Sequence, residues 1–332
     1  MAAFKNDSNI PLSVAVFLAA QTYDFKPNSR SLSATDFNRS IRQVILRNRM
    51  NVAETNDNEP KDIASLVKSK NGTAIHDAIE KIWLDPKLRG AGLRNLGYPE
   101  AVISRIVVNP EPSTITEDQI PVYMEIRKSI KIGDWTVSGK FDFVAEGSLT
   151  DFKSTSTFTH TKKTNDEKYK VQGSIYKVIH KEIITKDHLT IVFWFTDWKE
   201  AMSKSDPKYP KSAILPYKIE LMSEEETLAY MKAFIKKLEM HEDTPEPELP
   251  ACSADELWQD PPTYKYYRDT MKKTRSTKNF DDLVEARTFF AQQGFVGELV
   301  TVEGKAMACN YCDAAPSCTQ YKKLLAAGMI KE

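Results

Sequence analysis

Apolar residues along this chain change their spacing near residue 121. Before that point helical spacing dominates. In LSATDFNRSIRQVILRNRM (32–50), Phe37, Ile41, Val44 and Ile45 recur at close to helical intervals, which predicts a helix with Thr35 as its N-cap. Residues 51–62 are polar and predict a loop. SLVKSKNGTAIHDAIEKIW (65–83) sets Ala74, Ile75, Ala78, Ile79 and Ile82 on one stripe, and Asp85-Pro86 predicts the end of that helix. PEPSTITEDQI (110–120) carries two prolines and predicts a loop.

After residue 121 alternation takes over. VYMEIRKSIKI and WTVSGKFDFVA read as two strands around the turn pair Gly133-Asp134, and LTDFKST reads as a third. LTIVFWFT (189–196) is short, apolar and β-branched or aromatic, so it predicts a buried strand. DEKYKVQGSIYKVIHKEI (166–183) and SEEETLAYMKAFIKKLEM (223–240) are helical, the second with Ser223 as cap and an acidic first turn. HEDTPEPELP (241–250) is acidic and proline-rich and predicts a linker, and one more helix is expected near 282–293. Periodicity alone therefore gives an α/β protein.

Composition narrows the classes. A length of 332 residues suits one elaborated domain or two, and 41% hydrophobic with 28% charged residues suits a soluble chain with a core. Lys plus Arg and Asp plus Glu number 46 each, which argues against packaging of nucleic acid by bulk charge but allows a local basic groove. No apolar run reaches the length of a membrane span. IPLSVAVFLAAQ (10–21) resembles the apolar part of a signal peptide but lacks a basic flank, so a buried N-terminal helix or strand is the expectation.

The chemistry gathers in GKFDFVAEGSLTDFK (139–153). An acid two residues before a Lys occurs at Asp24, Glu59, Asp85, Asp151, Asp166, Asp197, Asp206 and Glu303, so the motif alone selects nothing. Asp151 is the one in a strand-like run that follows another strand bearing an acid. Alternation points Asp151 and Lys153 to one face and Phe152 to the other, while Asp142 can come level with Asp151 across the turn AEGS. Two carboxylates and an ammonium around one small volume suit Mg²⁺- or Mn²⁺-assisted attack on a phosphodiester. The cation screens the anion and acidifies a water, and the lysine orients that water or offsets developing charge. His76 lies on the 65–83 helix, and Gln172 and Tyr176 share a face of the 166–183 helix.

In order along the chain, Gly72–His76, Gly139–Asp142, Asp151–Lys153 and Gln172–Tyr176 resemble the motifs of the PD-(D/E)XK nuclease superfamily. The closer likeness is to its RecB-type nuclease domain, which includes AddB, the CRISPR-adaptation exonucleases and stand-alone phage exonucleases. The resemblance covers roughly 65–200. It implies a restriction-endonuclease-like central mixed sheet flanked by helices. It implies a metal held by His76, Asp142, Asp151 and the Phe152 carbonyl, Lys153 as the catalytic lysine, and Gln172 and Tyr176 at the DNA. The implied activity is that of an exonuclease on single strands or duplex ends, in recombination, repair or phage DNA metabolism. The implied location is the cytoplasm. The chain has no phosphate-loop motif, so any unwinding is left to a partner helicase or recombination protein. An inactive DNA-binding or assembly module, or a zinc-stabilised protein-interaction module, are the alternatives. Lys162, Lys163, Lys168, Lys170, Lys177 and Lys181 follow the site and could line a groove. Phe158, Tyr169 and Tyr176 could stack bases or belong to the core.

Cys309, Cys312 and Cys318 fall within ten residues, and Cys252 completes a set of four. Four thiolates suit zinc or a [4Fe–4S] cluster. The triplet's spacing resembles that of the iron–sulfur RecB-type nucleases, which favours the cluster. In those relatives the fourth cysteine precedes the nuclease core, whereas Cys252 follows it, so the centre is expected to clamp the C-terminal region on itself. The expected organisation is an N-terminal helical region (1–64), a nuclease core (65–240) and a C-terminal cysteine region (241–332).

Overall fold

A computed structural model of the chain describes residues 4–20, 30–50, 61–271 and 273–330. Two compact units emerge: Met1–Asn38 with Ala53–Lys236, and Arg39–Val52 with Lys237–Glu332. The three consecutive segments expected from sequence are thus replaced by an interleaved division, in which residues 39–52 join the C-terminal part.

The first unit runs β1 (Phe4–Lys5), α1 (Leu12–Ala19) and β2 (Ser31–Ser33), and α2 (Ile41–Arg49) follows in the second unit. The first unit resumes with β3 (Lys61–Asp62), α3 (Val67–Leu84), α4 (Pro86–Asn95), α5 (Glu100–Ile103), β4 (Ile106–Val108), β5 (Ile120–Met124), β6 (Arg127–Ile132), β7 (Trp135–Lys140), β8 (Phe143–Ala145) and β9 (Ser148–Thr155). It continues through α6 (Thr157–Lys162), α7 (Asp166–Ile179), β10 (His188–Phe195), α8 (Glu200–Ser205), β11 (Ile214–Glu220) and most of α9 (Glu224–Met240). A six-stranded sheet has the order β11-β10-β9-β8-β5-β4, with β10–β9 and β4–β5 parallel and the other pairs antiparallel. This is a central mixed sheet flanked by helices, as expected. A second sheet has the order β2-β7-β6.

Local chemistry explains the elements. Strand β10 alternates Leu189, Ile191, Phe193 and Phe195 into the core, and each such burial contributes about 1.5–3 kcal/mol. The β8–β9 turn is Glu146-Gly147, both in the left-handed region (φ 51° and 75°), as a two-residue hairpin of this kind requires. A Cβ on Gly147 would also lie 2.1 Å from Thr185 Oγ1. Asp85 ends α3 and caps α4, accepting from Lys87 N and Leu88 N at 2.8 and 3.1 Å, so Asp85-Pro86 starts a helix as well as stopping one. Ser223 and Glu226 form the expected capping box of α9.

Some expectations change. The 32–50 segment is not one helix. Residues 31–33 pair with β7 as a strand, and α2 begins only at Ile41, capped by Ser40 Oγ, not by Thr35. The apolar stretch near the N-terminus forms α1, but Leu18 alone is buried while Leu12, Val14, Val16 and Phe17 are exposed. Most of the expected 51–62 loop lies outside the described residues. Among the described residues, no helix is long and apolar enough to cross a membrane.

The second unit holds α2, a three-stranded sheet of β12 (Thr263–Tyr267), β13 (Lys278–Phe280) and β14 (Glu298–Val302) in the order β13-β12-β14, α10 (Leu283–Gln292), and α11 (Thr319–Ala326). The segment 241–250 is packed within this unit and does not act as a free linker. Leu249 is buried, and Glu246 accepts from Thr319 N at 2.8 Å and pairs with Arg42.

Candidate functional site

The two acidic strands do not run straight. Each leaves one sheet and enters the other: β5 and β8 lie in the six-stranded sheet, while their continuations β6 and β7 lie in the three-stranded one. The breaks fall at Glu125 and Asp142. Asn109 satisfies the end of β5, donating to Met124 O at 3.2 Å and accepting from Met124 N at 2.8 Å. Glu125 then takes a left-handed turn (φ 53°) and donates its N–H to Asp142 O at 3.2 Å. The fully buried Phe141 anchors the other break. Both carboxylates are therefore set where the hairpin passes between sheets.

Helix α3 brings His76 to them. Its Nδ1 lies 3.6 Å from Asp142 Oδ1 and 3.8 Å from Glu125 Oε1, and its Nε2 lies 3.1 Å from the Phe152 carbonyl. The Phe152 N–H donates to Asp142 Oδ2 at 2.7 Å, which fixes that carboxylate. The Phe152 ring packs on His76 and Phe143, anchoring β9 under α3. Glu125 also pairs with Lys140. Among the described residues, His76, Glu125 and Asp142 form the group whose ligand atoms all lie within 4.8 Å of one another.

Asp151 and Lys153 share a face of β9, as alternation requires, and form an ion pair. Asp151 is 3% exposed and lies outside that three-residue group, with its carboxylate engaged by Lys153. It is still felt there. Burial, and then the Asp151 charge, push the Asp142 carboxyl up to about 7. Burial would lower the His76 pKa, but Glu125 and Asp142 raise it overall. Burial would likewise lower Lys153, and Asp151 and Asp142 more than reverse this. Glu125 faces a burial penalty that His76 and Lys140 outweigh, leaving it below its ordinary value. The face of the Tyr169 ring attracts the Lys153 ammonium, which stands 5.7 Å from the ring centre.

Gln172 and Tyr176 meet on α7, with Gln172 Nε2 donating to the Tyr176 hydroxyl at 2.8 Å. Tyr176 is 6% exposed and packs against Gly139, where a Cβ would lie 2.8 Å from its Cδ1. That close approach explains the glycine three residues before Asp142. Gly72 has no such reason, since a Cβ there would make an ordinary 3.8 Å contact with Ser154. Tyr169 is buried with Tyr176, and Phe158 is 60% exposed. Of the lysines after the site, Lys177 pairs with Asp187 and Lys181 lies 3.7 Å from Glu224.

Sequence reasoning missed Glu125 and Lys140. Glu125 sits inside VYMEIRKSIKI, which reads as one unbroken strand, and nothing in its spacing marks the bend. Tyr169, for which stacking on bases or a place in the core were both open, is buried.

In the second unit, Cys252, Cys309, Cys312 and Cys318 line one small cavity with Arg42 and Gln320, and all four are free thiols. Burial and the neighbouring sulfurs push the Cys309 thiol up to about 11, and burial raises Cys252 and Cys312 as well. Arg42 Nε donates to Cys318 Sγ at 3.2 Å, and Ser40 Oγ lies 3.2 Å from Cys252 Sγ. Gln320 brackets Cys252 through its N–H and carbonyl at 2.8 and 2.9 Å. The cysteine region does not close only on itself: helix α2, from before the nuclease motifs, packs into it and brings an arginine and a serine but no cysteine.

No protein-family model matches the chain, and no curated protein matches it. Among solved structures it is similar to SSO0001, at 14% identity and a TM-score of 0.38 over 72% of this chain and 89% of that one. It is similar to LHK-Exo in complex with dAMP, at 13% identity and a TM-score of 0.28 over 64% and 89% of the two chains. It is also similar to a phage-related exonuclease from Haemophilus somnus 129PT, at 13% identity and a TM-score of 0.25 over 64% and 96%.

Proposed function

We propose that this chain is a Mg²⁺- or Mn²⁺-dependent nuclease that hydrolyses DNA phosphodiesters, acting as an exonuclease in recombination, repair or phage DNA metabolism. One observation carries the reading: an imidazole, two carboxylates and a backbone carbonyl converge beside the pair of buried Asp151 with half-buried Lys153. The donor set fits a hard divalent ion, for it is mostly oxygen, and burial together with the Asp151 charge holds the Asp142 carboxyl at about 7, a penalty that a bound cation would offset. His76, Glu125, Asp142 and the Phe152 carbonyl would hold the ion, with Asp151 beside them. Such an ion supplies screening of the phosphate and acidification of a water.

The chain's own groups do the rest. The Phe152 N–H holds Asp142 in place. Asp151 keeps Lys153 charged, so the ammonium offers a donor to a phosphate oxygen where negative charge grows. Tyr176, buried on Gly139, orients Gln172, which is the member of that pair left to meet DNA. Unwinding is assigned to a partner helicase or recombination protein.

The four cysteines are proposed to hold a structural [4Fe–4S] cluster, with zinc as the alternative. The donor set fits: raised thiols crowded on one cavity gain from a cation that favours their thiolate forms. The spacing of Cys309, Cys312 and Cys318 supports the cluster.

The test is digestion of end-labelled linear, circular and single-stranded DNA with Mg²⁺ or Mn²⁺. The parent degrades linear DNA, and Lys153→Ala and Asp151→Asn do not. Parent-like cleavage by Asp151→Asn overturns the site, and the absence of cleavage with any divalent ion overturns the activity. Iron and zinc content of the purified protein decides the cysteine centre.

A further inference from the structure

Between Cys252 and Cys309 the chain builds a small module of its own. Strands β12, β13 and β14 form an antiparallel sheet, with α10 packed on it around Tyr266, Phe280 and Ala286. The Tyr266 hydroxyl donates to Val296 O at 2.7 Å and ties the far end of the module to the sheet. The turn between β12 and β13 is closed at its root by Thr277 N to Tyr266 O at 2.8 Å and Arg268 N to Thr277 Oγ1 at 3.1 Å.

Charge in the module is segregated. Residues 264–278, YKYYRDTMKKTRSTK, carry six basic side chains and one acidic one. Residues 281–303 carry five acidic side chains and one basic. The chain as a whole is neutral, so this is a local field with a direction, which orients an approaching polyanion. Arg268, Lys273, Arg275 and Lys278 are exposed. Lys273 pairs with Glu298 at 2.5 Å, and Lys278 lies over the rings of Phe280 and Phe289, so the two arginines are the better probes of the turn. The lone acid, Asp269, accepts from Met271 N at 2.9 Å and shapes the turn. Between the cations stand Thr270 and Thr274, short hydroxyls of the kind that donate to phosphate oxygens, while Ser276 donates to Asn279 Oδ1 at 2.5 Å. At the tip Met271 is 90% exposed, an apolar end suited to contact with a base or sugar.

We propose that the β12–β13 arm is a second DNA-binding element, gripping the phosphate backbone from the unit that does not carry the His76–Asp142 site. The inference rests on the nuclease reading for its choice of polyanion, because an acidic peptide offers neither a regular row of phosphates nor bases for Met271. The arm's contribution is independent of sequence and strongly dependent on salt.

The test uses the full chain with Lys153→Ala, so that DNA survives the assay, and measures binding of a labelled duplex across a salt series. Arg268→Gln with Arg275→Gln is expected to lower the slope of log affinity against log salt by about 0.9 for each phosphate that no longer meets a cation. Arg268→Lys with Arg275→Lys is expected to keep the slope, since backbone binding needs charge more than a guanidinium plane. Circular dichroism and melting of all variants should match, the two side chains being exposed. An unchanged slope in the glutamine variant, in a protein that binds DNA, overturns the arm alone, even if an acidic protein is found to bind there. A parent that neither binds nor cleaves DNA overturns the nuclease reading itself and the arm with it.

Discussion

Arg42 Nε donates to Cys318 Sγ across 276 residues of sequence. The same buried guanidinium donates to Leu249 O at 2.8 Å and Thr319 Oγ1 at 2.9 Å, and pairs with Glu246. Removing it strands several acceptors at once. Arg42→Met is expected to destabilise the protein by roughly 3 kcal/mol, the order seen when one partner of a buried ion pair is lost. Arg42→Lys should recover only part, because one ammonium cannot reach all four partners. Denaturant unfolding measures both, and thiol labelling should show Cys318 opening first.

Glu125 is the ligand that spacing did not reveal. Glu125→Gln keeps its shape and removes a charge shared by His76 and Lys140. Mn²⁺ affinity, read by calorimetry, is expected to fall at least about tenfold, the lower end of what a weakened metal surround costs. Unchanged Mn²⁺ binding would remove Glu125 from the site.

Asp142 predicts a pH signature. Its carboxyl is raised from 3.8 to about 7, so between those values the folded chain holds a proton that the unfolded chain does not. Stability in EDTA should therefore fall as pH rises from about 4 to about 7. The raised His76 acts in the same direction near the top of that window. Asp142→Asn should flatten the Asp142 part of the slope, and Mn²⁺ binding should release protons most strongly below pH 7. Melting curves in EDTA across this range check the first point, and calorimetry in buffers of different ionisation heat checks the last.

Gly139 predicts a steric one. A methyl there meets the Tyr176 ring at 2.8 Å in a closed core. Gly139→Ala should destabilise by about 1–3 kcal/mol, the usual range for overpacking, and slow cleavage by shifting Gln172. Tyr176→Leu in the same chain should restore stability without restoring cleavage.

How much of this was legible in the sequence depends on the kind of pattern involved. Asp151 with Lys153 was legible because a strand's period is two, and Ser223 with Glu226 because a capping box is local. The two-residue turn before Ser148 was marked by Gly147. Glu125 was not legible, because a strand that changes sheets keeps its alternation on both sides of the bend. Strand β11 was missed because Pro216 and flanking charges blur its alternation. The role of α2 was missed for another reason: no local rule says that a helix preceding one unit belongs to the other.

That last feature sets an order of events during synthesis. Arg42 is made well before the atoms it must grip, at Glu246, Leu249, Cys318 and Thr319, which follow some two hundred residues or more later. Helix α2 can settle only after those later residues have left the ribosome. A fragment stopped near residue 240 would carry an orphaned arginine with no home, so the two units are better dissected by point substitution than by cutting.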